Sequence, residues 1–173
     1  MVEYVFTEDQ KALAYDEAHR RQANNEAKGR RGRNNAPAWG NSALGMHLIG
    51  CAAEIAVANY LGLQQYMFKG DDPVRGEADL PGMIEVKCRS KHFYDLLIFL
   101  DDEPAKQFVL VTIENRKTLI HGWIPGEDAM QEKWIKEYRK GSRSYAVPQS
   151  ELRPIEQLKQ IVTKNPDKFV WDM

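Results

Sequence analysis

The chain has 173 residues, of which 43% are hydrophobic and 28% charged, with a formal net charge of -1. That length supports one domain with a real core, and the composition is that of a globular protein rather than a disordered or fibrous one. A balance this close to neutral excludes a global positive field, so any nucleic-acid binding must come from local basic patches.

No apolar run is expected to reach the ~20 residues of a membrane helix, and no membrane partner is expected. The opening MVEYVFTEDQ is acidic where a secretory signal is basic and then apolar, which points to the cytoplasm of the producing or host cell. Cys51 and Cys88 form no metal-finger pattern, and reduced thiols fit such a setting.

In chain order, Thr7 followed by Gln10 reads as a capping box, opening a polar helix from about Glu8 to Ala27. The stretch KGRRGRNNAPAWGN is then a loop or arm. Around it, Arg20, Arg21, Lys28, Arg30, Arg31 and Arg33 stand against one acid, Glu26. They are the candidate nucleic-acid-binding residues, since each phosphate contact strengthens binding to DNA and steepens its salt dependence.

Asn41 or Ser42 can cap a second helix that runs to about Leu61, with Gly62 as its stop signal. QQYMF (64–68), EADL (77–80) and GMIEVKCR (82–89) read as strands, with turns at 70–73 and at Pro81-Gly82. YDLLIFL is a strand or a short buried segment. QFVLVTIE and TLIHGWI form a hairpin about residues 115–117, which Pro125-Gly126 ends. A mixed stretch to Tyr145 and a helix from about Arg153 to Thr163 complete an α/β (α+β) chain, an α+β or α/β/α sandwich on a mixed central sheet flanked by helices. The expected organisation is one domain over 1–173, with a helix and basic arm (1–40) appended to a core at 41–165.

Side chains alternate along a strand, so Glu85 and Lys87 emerge on one face, roughly 7 Å apart by the ~3.3 Å rise per residue. If 77–80 pairs with 83–89 across the Pro81-Gly82 turn, Asp79 approaches Glu85. The acid-x-Lys pattern also occurs at Asp9-Gln10-Lys11 and Glu26-Ala27-Lys28, but in polar helical contexts. Glu54 is the only Asp, Glu, Lys or Arg between Arg33 and Lys69. A lone carboxylate on a small apolar helix is costly to bury unless it is paired or binds a metal.

Glu54 in a helix, then Asp79, then Glu85-Val86-Lys87 in a strand resembles the PD-(D/E)XK nuclease superfamily, and in particular its small phage and bacterial members. The resemblance covers about Ala43 to Asp128. Where the family motif has Pro-Asp, Ala78-Asp79 stands here. The resemblance implies a restriction-endonuclease-like core and the catalytic set Glu54, Asp79, Glu85 and Lys87. It adds the Val86 carbonyl to Asp79, Glu85 and Glu54 as ligands of Mg²⁺, with Mn²⁺ able to substitute. Oxygen ligands favour such hard cations over zinc. Asp79 and Glu85 would be ligands, Glu54 a third ligand or an outer-shell acceptor, and Lys87 would orient the attacking water or stabilise phosphate charge.

The expected function is metal-dependent hydrolysis of DNA phosphodiester bonds, as an endonuclease. A homodimer would suit double-strand cleavage. The alternatives are a non-catalytic nucleic-acid-binding or assembly protein on the same fold, and an α+β interaction domain in which the pattern is accidental. His19, His47, His92 and His121 lack metal-ligand spacing and read as structural. Asp101, Asp102 and Glu103 read as a loop run without a partner.

Overall fold

The computed structural model describes residues 1–29, 43–68 and 77–171. Arg30, Arg31 and Arg33, the cap candidates Asn41 and Ser42, and the turn at 70–73 lie outside the described residues.

Strand β1 (Val2–Tyr4) precedes helix α1 (Glu8–Ala27), whose start is the expected capping box. Gln10 N donates to Thr7 Oγ1 at 3.2 Å, and Thr7 N donates back to Gln10 Oε1 at 3.0 Å. Helix α2 (Ala43–Leu61) ends at Gly62, whose φ of 77° is the left-handed turn that glycine adopts without strain. Leu63 N bonds back to Ala58 O at 2.8 Å and Gly62 N to Asn59 O at 3.3 Å, the paired closure of a Schellman motif.

After α2 the described elements are β2 (Ile84–Arg89), β3 (Leu96–Phe99), β4 (Gln107–Glu114) and β5 (Lys117–Pro125). A one-turn helix α3 (Gly126–Ala129), strands β6 (Ile135–Arg139) and β7 (Ser142–Val147), and helix α4 (Ile155–Lys164) follow. One sheet has the order β1-β5-β4-β2, with β2 and β4 parallel and the other pairs antiparallel. The second has the order β3-β7-β6 and is antiparallel throughout.

The mixed sheet is thus an α+β core. Helices α2 and α4 cover one face, where Ala53, Val57, Leu61, Ile155 and Leu158 pack on Ile84, Val109, Val111 and Ile120. The other face is covered by the second sheet, with Leu96, Ile98 and Val147 against Phe108, Leu110 and Ile124. Alternation along β4 sends odd-numbered residues to the helices and even-numbered ones to the second sheet. Helix α1 lies on α2 through Ala14 and Ala18 against Cys51 and Ile55, the alanines and the cysteine being small side chains that let the two helices approach closely.

Several expectations need correction. QQYMF is not a strand: Gln64–Tyr66 is a 3-10 turn, because the Schellman closure keeps the chain folded back on α2. EADL contributes a single bridge, Leu80 to Ile84. The mixed stretch before Tyr145 contains the β6–β7 hairpin, and β1 was not foreseen at all. The apolar-run expectation fails as well: α2 is 19 residues long and apolar enough, by length and composition only, to cross a membrane. In the structure its buried residues form the core against the sheet.

Candidate metal and phosphate site

Glu54 is the one charged residue of α2, and it is 8% exposed. Arg21 answers it from α1 with a bidentate pair, Nη1 to Oε1 and Nη2 to Oε2, both at 2.8 Å. Arg21 Nε also donates to Glu17 Oε1 at 3.0 Å, and Arg20 binds Glu17 through two bonds of 2.8 and 2.7 Å. Positions 17, 20 and 21 share a helix face by i+3 and i+4 spacing. Burial opposes ionisation of both Glu17 and Arg21. Their partners outweigh it, so Glu17 titrates below the usual carboxylate range and the Arg21 guanidinium is held charged more firmly than normal.

Asp79 reaches the site through a tight reversal. Gly82 has a φ of 76° in the turn that brings Leu80 back onto Ile84. The hairpin stops after that bridge, and the Asp79 side chain replaces the missing backbone: Val86 N donates to Asp79 Oδ2 at 2.7 Å. Among the described residues no cation lies within salt-bridge distance of Asp79. Desolvation, then the charges of Glu54 and Glu85, push its carboxyl well above the usual range, against the pull of the Val86 amide and Arg21. The charges of Glu54 on α2 and Glu85 on β2 thus both act on Asp79.

Strand β2 is the edge of the mixed sheet, and its backbone alternation is set by Gln107 N donating to Met83 O at 2.7 Å. Odd-numbered backbone groups turn toward β4, and even-numbered ones toward the open edge. The N–H and C=O of one extended residue project the same way. The Val86 carbonyl thus lies on the edge where its amide meets Asp79.

Glu85 and Lys87 share a face as expected. Lys87 Nζ lies 3.2 Å from Glu85 Oε1 and 3.0 Å from Asp102 Oδ2, over the rings of Phe99 and Phe108. Two participants escaped the sequence reading. Lys106, with a side chain 3% exposed, places Nζ 3.0 Å from Glu85 Oε2 and 4.0 Å from Asp102 Oδ1. Asp102 is not a partnerless loop acid, for it also accepts from Phe99 N at 2.9 Å. Only the position of Lys106 immediately before an apolar strand could have signalled it.

Glu54 and Glu85 are held by these cations. Among the described residues no three or more His, Cys, Asp or Glu side chains stand close enough to hold one metal ion. Of the basic-arm candidates, Arg20 and Arg21 serve the Glu17–Glu54 network, and Lys28 caps α1. His92 Nδ1 and His121 Nε2 each lie 2.7 Å from Thr112 Oγ1, and His47 Nε2 lies 3.1 Å from Asn25 Nδ2. Both thiols are free, and burial pushes each up to about 12, too high for an activated nucleophile. Compared with family models, with characterised proteins and with solved structures, the chain shows no match.

Proposed function

We propose that this chain is a divalent-metal-dependent nuclease that hydrolyses DNA phosphodiester bonds, cutting internally. The observation that carries the reading is the placement of the Asp79 carboxylate at the open edge of β2, where it accepts from Val86 N, on the strand that carries Glu85 and Lys87 side by side. Carboxylate and carbonyl oxygens at this edge suit a hard cation, Mg²⁺ or Mn²⁺. Asp79, Glu85 and the Val86 carbonyl would hold it, with Glu54 behind them. Such an ion, when bound, supplies positive charge at the phosphate and makes a neighbouring water more acidic.

The chain's own residues do the rest. Lys87 is held by Glu85 and Asp102 on the face where the phosphate would lie, and donates to the attacking water or to a phosphate oxygen. Lys106 supplies a second ammonium beside Glu85. Arg21 fixes the Glu54 carboxylate.

One observation favours a second reading, a non-catalytic nucleic-acid-binding or assembly protein. Glu85, Lys87, Asp102 and Lys106 form a closed set of two acids and two bases, which balances without any ion.

The two readings separate on one assay. Supercoiled plasmid, linear duplex, single-stranded DNA and a four-way junction are incubated with Mg²⁺, Mn²⁺ or EDTA. The nuclease reading expects metal-dependent cutting that falls at least about 100-fold in Glu85→Ala and in Lys87→Ala. Salt-sensitive DNA binding without cutting, and without a Mn²⁺-induced rise in Tm, selects the second reading.

A further inference from the structure

The face that carries Glu85 and Lys87 continues to Arg89, roughly 7 Å beyond Lys87 by strand rise. Arg89 is partly buried, and it makes no salt bridge among the described residues. Its Nη1 donates to the Asp95 carbonyl at 2.9 Å, and its guanidinium stacks 4.6 Å from the Tyr94 ring centroid. Burial lowers its pKa, with Tyr138 of β6 and Asp95 among the groups opposing that shift. A desolvated arginine with most of its donors unspent is a receptor for an oxyanion.

The second sheet extends this positive surface. Phe99, Ser144 and Lys136 lie in register across β3, β7 and β6, so they share a face. Lys87 Nζ sits 5.2 Å over Phe99, and Lys136 Nζ lies 3.9 Å from the Asp95 carboxylate beside Arg89. Beyond a bulge, Arg139 pairs with Ser142, two residues from Ser144 and on its side of the hairpin. Residues 133–143 hold Lys133, Lys136, Arg139, Lys140 and Arg143 against the single acid Glu137. That acid is used internally, accepting from Gly141 N at 3.0 Å to close the turn. In a chain of net charge -1 this is a marked local asymmetry. Tyr138, 57% exposed, stands within it.

We infer that the β6–β7 hairpin, with Arg89 at its base, is a docking surface for the sugar-phosphate backbone of duplex DNA that leads the strand to Glu85 and Lys87. The inference rests on the nuclease reading for its choice of DNA. Charge complementarity selects a polyanion, and the width of a two-stranded ribbon suits a duplex groove.

The test uses the full chain, with Ca²⁺ replacing Mg²⁺, and follows the anisotropy of a labelled 20-base-pair duplex across a KCl series. The triple variant Lys136→Ala/Arg139→Ala/Lys140→Ala is compared with Lys159→Ala/Lys164→Ala/Lys168→Ala, which removes the same charge from the α4 region. For the hairpin variant, Kd should rise about tenfold or more near 0.1 M salt, and the salt slope should fall by about 0.9 for each phosphate that is no longer neutralised. The α4-region variant should bind like the wild type. All substituted side chains are exposed or nearly so, and an unchanged Tm verifies folding. If both variants weaken binding equally, the effect is one of net charge and the docking surface is overturned. Wild-type binding retained by the hairpin variant overturns it too. Tighter binding of duplex RNA than of duplex DNA overturns the choice of partner. A wild-type protein that binds through the hairpin yet cuts nothing with Mg²⁺ or Mn²⁺ supports the surface and sinks the nuclease reading instead.

Discussion

Asp79 is the residue where stability and the proposed chemistry conflict. Its folded-state pKa is raised, so the native protein favours the protonated carboxyl. The stabilisation this brings is present at acid pH and is lost as pH rises through the raised value. At neutral pH, above the ordinary aspartate value, the raised pKa is a cost to the fold. Asp79→Asn keeps an oxygen for the Val86 amide while removing the charge, so it should raise Tm at pH 7–8 in metal-free buffer. It should also erase any Mn²⁺-induced rise. A lower Tm for this variant in EDTA would show that Asp79 is not under carboxylate pressure. Arg21 poses the opposite case. Removing it leaves Glu54 buried and unpaired, and breaking such a pair from one side costs about 3–5 kcal/mol. Arg21→Ala should therefore destabilise strongly in chemical denaturation, whereas adding Glu54→Gln to it should recover much of the loss. Equal losses in the single and double variants would place the role of Arg21 in packing rather than in charge.

Among the elements, the β4–β5 hairpin carries a local conflict of its own. Asn115 and Arg116 both adopt left-handed φ, 51° and 63°, as a two-residue turn of the I′ type requires. Asparagine tolerates that conformation, but arginine pays roughly 1 kcal/mol for its Cβ. Arg116→Gly should raise Tm by about 2–4 °C and leave DNA binding untouched. An unchanged or lower Tm would mean that the greater freedom of glycine in the unfolded chain cancels the relief. Gly82 cannot be exchanged in this way. A Cβ built there would lie 2.3 Å from the Phe169 ring, so the turn that delivers Asp79 is also clamped by the C-terminal segment.

Across the whole molecule, acid sensitivity follows from half-buried histidines. Desolvation lowers the pKa of His121, helped by His92 and the chain's amino terminus against a hydrogen bond that its ring donates to Gln149. Burial and then Arg21 lower that of His47. Each binds its proton more readily in the unfolded chain. Their contribution is fully present above the ordinary histidine value of about 6.5 and is lost as pH falls through the depressed folded values. The Tm of the wild type should drop between pH 7 and pH 5, and His121→Gln should flatten that drop. Parallel slopes for the two proteins would remove His121 from the account.

How much of this was legible beforehand depends on the range over which each residue acts. The start and end of α1, the glycine stop of α2, the β4–β5 hairpin and the shared face of Glu85 and Lys87 could all be written down from the chain. Each follows from local geometry: a cap three residues from its partner, a positive φ at glycine, a period of two. The lone Glu54 announced that it needed a partner, because burial of an isolated carboxylate is costly wherever it happens. Which partner it found was decided only by the packing of α1 on α2, which brings Arg21 across 33 positions of sequence. Tertiary structure likewise recruited Lys106 and Asp102, gave β1 its place on β5, and laid the β6–β7 sheet over the face where a helix layer was expected. These pairings join distant segments, and their strength depends on burial and on charge separation. No spacing rule along one strand or helix encodes either quantity.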